Sequence, residues 1–86
     1  MRIEIRTFDM GTTEEKARKV CEEAMEFFAE HQCSHIVGTY PLMLEIGDVF
    51  TALANYCQSR GIDAQECIDL VETKNITRGR YDTIEP

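Results

Sequence analysis

From Ala17 onward the apolar residues fall at Ala17, Val20, Cys21, Ala24, Phe27 and Phe28. This i, i+3, i+4, i+7 recurrence belongs to a helix with one face turned to a core. A strand cannot use it, because strand side chains change face at every residue. The stripe follows "GTTEEK", where Thr12 and Glu15 have the spacing of a capping box, which Thr13 and Lys16 match only in part. A first helix is predicted over about 13–32. A second stripe, Leu42, Ile46, Val49, Phe50, Leu53, Tyr56 and Cys57, begins after Pro41, which suits a first helical turn, and stops at Gly61. Asp63 and Glu66 repeat the capping-box spacing, and Ala64, Cys67, Ile68 and Val71 carry a third, shorter stripe to about residue 75. Between the first two stripes "HQCSHIVGTY" breaks the period and contains Gly38, so it reads as a connection.

The ends differ from the middle. Residues 2–8, "RIEIRTF", alternate at first, which predicts a short strand or extended arm within 1–10. No second strand is evident, so a pairing partner would be another copy of the chain. "KNITRGRYDTIEP" closes the chain, with a polar tail over 76–86. The expectation is one all-α domain over 1–86, a short bundle of three main helices. A core built from 86 residues is marginal. No disulfide framework or structural metal motif compensates, so oligomerisation is expected to complete the bundle.

The net charge of −7 argues against a nucleic-acid polymer or an anionic membrane surface as partner. A small anionic ligand stays open if metal ions or a local basic cluster admit it. No apolar run reaches the ~20 residues of a membrane span, and "MRIEIRTFDM" lacks the apolar core of an export signal. A cytoplasmic location is the expectation. Cys21, Cys33, Cys57 and Cys67 have no CxxC spacing and read as reduced, mostly buried thiols. His31, Cys33 and His35 alternate but lack a fourth ligand at zinc spacing, so a helix end or connection is preferred there. Phe27 and Phe28 are expected in the core, and Tyr40 and Tyr81 are expected to pack.

The acids carry the functional question. On the first helix Glu22, Glu23 and Glu26 lie together opposite the apolar stripe, which for a lone helix means a solvated face. Glu45 and Asp48 are i, i+3 neighbours on the second helix. Leu44 and Ala52 flank them, and Thr51 and Asn55 continue their face. A helix apolar nearly all round is buried, and a buried unpaired carboxylate costs several kcal/mol. Two acidic edges facing one another around a hard divalent cation would resolve that cost. An all-oxygen ligand set favours Mg²⁺ or Mn²⁺ over iron or zinc.

"KVCEEAMEFF" has the form K-x-x-E-E-x-x-E, "LEIGDVF" supplies E-x-x-D about twenty residues later, and "IDAQECIDLVETKNITRGRY" ends in lysine and arginine. Together these resemble the MazG-like, all-α nucleotide pyrophosphohydrolase superfamily, over roughly residues 13–81. The resemblance implies a helical enzyme, working as a dimer or tetramer, that hydrolyses NTPs or dNTPs to the monophosphate and pyrophosphate with Mg²⁺. Water would attack the α-phosphate. By motif matching, Glu23, Glu26, Glu45 and Asp48 would hold the metal, and Glu22 would be a further ligand or the catalytic base. Lys74, Asn75 and Arg78 would meet the phosphates or nucleotide, in one version across a subunit boundary. A phosphoribosyl-ATP pyrophosphohydrolase is the near alternative within the superfamily. A non-catalytic helical oligomerisation module is the alternative from another class.

Lys19 admits two roles. It can bind phosphate, with Lys16 on roughly the same face, or simply pair with Glu23 at i, i+4. Lys74, Arg78 and Arg80 likewise either meet phosphate or offset the dipole at a helix C-terminus.

Overall fold

The computed structural model describes residues 4–8 and 11–80. They form three α-helices and no strand: α1 (Thr13–Val37), α2 (Tyr40–Ser59) and α3 (Ala64–Thr77). The class is all-α, as the stripes require. Residues 4–8 belong to neither helix nor strand; the rest of the expected arm, the tail from 81 and Tyr81 lie outside the described residues.

Local chemistry sets the helix starts. The Glu15 backbone N–H donates to Thr12 Oγ1 at 3.1 Å, and the Thr12 N–H donates to Glu15 Oε1 at 2.6 Å, closing the expected capping box. Pro41 sits in the first turn of α2, where its missing N–H leaves no bond unmade. Asp63 caps α3 by accepting from the Gln65 N–H at 3.0 Å, one residue short of the expected box geometry.

The end of α1 corrects the sequence reading. The helix does not stop near 32 but runs through "HQCSHIV" to Val37. The loss of apolar periodicity there changes which faces are covered, not whether backbone hydrogen bonds form, and no breaker occurs before Gly38. Gly38 ends the helix with φ at 90°, a conformation costly for any residue with a Cβ. Gly38 and Thr39 alone then connect α1 to α2, so the two helices fold back on one another. The His31–Cys33–His35 run is therefore helical, and the three side chains are exposed. His31 and His35, four apart, share a helix face, but Cys33, two from each, points to the other side, so the three give no convergent metal set.

The core is small. Among the described residues its buried apolar members are Ala52 and Ala54, and no large side chain is fully enclosed. Met25, Phe28, Leu44, Phe50, Leu53 and Leu70 are among the large apolar residues left exposed. Five residues expected to pack are thereby corrected. Phe28 is more than half exposed, Tyr40 is exposed, and of the four thiols only Cys57 is even partly buried. Position on an apolar stripe specifies a face; it does not supply the element that covers it. The radius of gyration, 15.3 Å, exceeds the roughly 12 Å expected of a compact chain of this length. Most tertiary contact lies between α1 and α2, and α3 packs more lightly on α2.

Candidate metal centre

The α1–α2 seam brings acids from both helices together. One carboxylate oxygen each from Glu23, Glu45 and Asp48 lies within 4.8 Å of the others. Glu23 projects from the middle of α1 and is 6% exposed, while Asp48 is exposed and Glu45 is half-buried. Glu45 and Asp48 reach the same point because they stand one turn apart on α2. Three like charges at this separation repel.

The acids register that repulsion. Burial, first, and then a hydrogen bond and charge repulsion from Glu26 hold the Glu23 carboxyl above the usual glutamate range; Lys19 opposes this and Asp48 adds to it. Glu45 is also raised, by desolvation and by the charges of Glu26, Asp48 and Glu30. Glu45 Oε1 is enclosed and has no hydrogen-bond partner. An enclosed acceptor left unsatisfied is destabilising. A hard cation bound by carboxylate oxygens would answer both features at once, so the residues fit a divalent ion.

The other expected residues divide. Glu26 stands outside the close trio but hydrogen-bonds Glu23 and brings its charge to bear on Glu45, and so borders the centre. Glu22 is exposed, with its carboxylate 3.7 Å from Lys19 Nζ. Lys19 therefore pairs with Glu22 at i, i+3 rather than forming the expected i, i+4 bridge to Glu23, although its charge still reaches Glu23. Both partners are more than half exposed, so the pair contributes at most about 1 kcal/mol. Lys74, Asn75 and Arg78 sit at the end of α3 and do not line the cavity beside the acids.

That cavity, about 480 Å³, is lined by Gly11, Glu15 and Ala52 and by four residues with side chains suited to a ligand that stand outside the expected site: Phe8, Lys16, Thr51 and Asn55. Lys16 is 8% exposed and Asn55 7% exposed. Three of them left a trace in the sequence. Lys16 precedes Lys19 by one turn, and Thr51 and Asn55 continue the Asp48 face. Phe8 left none, since it precedes the first helix and its position depends on a bond to a residue 47 places away. No protein-family model, curated protein or solved structure matches this chain. Among the described residues no helix is long and apolar enough to cross a membrane.

Proposed function

We propose that this chain hydrolyses nucleoside triphosphates, NTPs or dNTPs, to the monophosphate and pyrophosphate, using a carboxylate-held Mg²⁺ for which Mn²⁺ can substitute. The observation that carries the reading is the convergence of Glu23, Glu45 and Asp48 from two helices, with Glu45 Oε1 enclosed and unpartnered. The resemblance of "KVCEEAMEFF" and "LEIGDVF" to the MazG-like superfamily supports it.

In this reading Glu23, Glu45 and Asp48 hold the ion, and Glu26 supplies a further oxygen at the edge. When bound, the ion offsets the charge of the triphosphate and favours attack of water on the α-phosphate. Lys16 and Lys19 attract the phosphates into the cavity that they line. Glu22 accepts the proton of the attacking water once Lys19 turns from it toward the incoming phosphate. Lys74, Asn75 and Arg78 enter the site from a neighbouring copy. Association as a dimer or tetramer would also cover Phe50, Leu53 and the other exposed apolar residues.

The test is incubation with mixed dNTPs and Mg²⁺, followed by measurement of pyrophosphate. Release that disappears in Asp48→Asn and Glu26→Gln supports the enzyme. A second reading, a non-catalytic helical association module, draws on the exposed apolar faces alone. No turnover, together with a melting temperature indifferent to Mg²⁺, would favour it, because a ligand bound only by the native state must stabilise that state.

A further inference from the structure

Phe8 is out of place as a structural residue. It lines the 480 Å³ cavity with Lys16, Lys19, Glu23 and Asp48, and is the one aromatic ring in that lining. The residue is 51% exposed, so it builds little core. Its backbone is nevertheless fixed: the Phe8 N–H donates to Asn55 Oδ1 at 2.9 Å, and Asn55 is itself buried in the α2 seam. A side-chain amide thus holds the Phe8 backbone against α2 and leaves an aromatic residue beside a charged site. The volume lies within the roughly 300–1,000 Å³ of small-molecule sites. Aromatic faces next to phosphate-binding charge suit planar bases, whose stacking tolerates any base identity.

We propose that Phe8 is the base platform of this site. The nucleobase of a mononucleotide stacks on its ring, while the phosphates extend toward Lys16, Lys19 and the carboxylates. Asn55 is a positioning residue that acts through the Phe8 backbone. This inference rests on the nucleotide reading above and adds to it where the organic half of the substrate lies. It also makes the base, not the phosphate chain alone, a determinant of binding.

The chain contains no tryptophan, so Phe8→Trp introduces a single indole reporter at the platform. With Mg²⁺ present, this variant is titrated with α,β-imido deoxynucleoside triphosphates and, separately, with inorganic tripolyphosphate. Saturable quenching by the nucleotides and none by tripolyphosphate is expected, and Asn55→Ala in the same background should weaken the quenching. No quenching, or equal responses to both ligands, overturns the proposal. In turnover assays Phe8→Ala should raise KM for dNTPs about tenfold, with kcat and inhibition by tripolyphosphate unchanged and Phe8→Trp near wild type. An equal fall in affinity for nucleotide and tripolyphosphate would make Phe8 merely structural and defeat the proposal. If the wild type turns over nothing, the hydrolase reading fails, and the quenching titration still decides the role of Phe8.

Discussion

The α1–α2 seam and the outer faces of the helices reverse the ordinary distribution of polarity. The seam buries Lys16, Glu23 and Asn55, whereas Leu53, Phe50 and Leu70 face outward. Burial of charge costs several kcal/mol unless it is compensated, and exposed apolar surface forgoes about 25 cal/mol per Å² of burial. A single chain carries both penalties, and a different agent would relieve each. A cation between the carboxylates would relieve the first, and an apolar surface laid on α2 and α3 would relieve the second. The difference teaches that the ligand binding and the association proposed here would draw on separate regions of one small fold.

The strongest way to break the comparison is to remove one acid from the seam. Asp48→Asn is expected to lower nucleotide hydrolysis by at least about 100-fold, since even residues supporting a metal ligand carry 10–100-fold effects. It should also abolish the rise in melting temperature with Mg²⁺, which for the wild type corresponds to about 2.7 kcal/mol at a concentration 100 times the Kd. Sedimentation should be unchanged. Loss of association in this variant would show that the two regions are not independent.

Phe50→Glu attacks the other region. Burying a phenylalanine is worth roughly 1.5–3 kcal/mol, so self-association should weaken at least about tenfold in sedimentation equilibrium. Mg²⁺ should still raise the melting temperature. A wild type that stays monomeric at high concentration would remove the outer-face half of the argument.

The pH dependence sharpens the seam half. Glu23 and Glu45 hold their protons above the usual glutamate range, chiefly through desolvation. Their ionised forms therefore destabilise the metal-free fold above those raised values, and the penalty fades as pH falls toward the ordinary range near about 4.3. Glu15 has the opposite sign. Its carboxylate is held low by the Thr12 backbone and hydroxyl, so its contribution is lost only as pH falls through that lower value. In EDTA the melting temperature should first rise on acidification from neutrality and then fall. With Mg²⁺ the first phase should invert, because protons displace the ion. Identical curves with and without the metal would count against a cation at the seam.

The smallest effect serves as the control. Thr12→Ala removes the α1 cap, at about 1 kcal/mol, which for a domain of this size lowers the melting temperature by roughly 4–8 °C. The midpoint of the Mg²⁺ titration should not move. A large shift in metal affinity would mean that the start of α1 positions Glu23, and that the seam is less autonomous than its geometry implies.

What could be read from residue order is what neighbouring residues decide among themselves. Thr12 with Glu15, Pro41, Asp63 and the apolar spacing from Ala17 to Phe28 specify three helices through bonds spanning a few positions. The same spacing put Glu45 and Asp48 on one face and Glu22, Glu23 and Glu26 on another. It did not say which of the α1 acids meets α2, and the structure selects Glu23 while Glu22 turns to Lys19. The end of α1 was misplaced because apolar periodicity reports coverage, whereas helix termination needs a breaker such as Gly38.

Burial and convergence were decided only by the tertiary structure. Cys21, Cys33 and Cys67 lie exposed because no element among the described residues covers them. Phe8 reaches the cavity through one hydrogen bond to Asn55 that no local pattern encodes. Helix formation depends on contacts within a turn or two, so the linear order determines it. The site depends on which faces of α1 and α2 meet, and that is set by the packing of side chains distant in sequence.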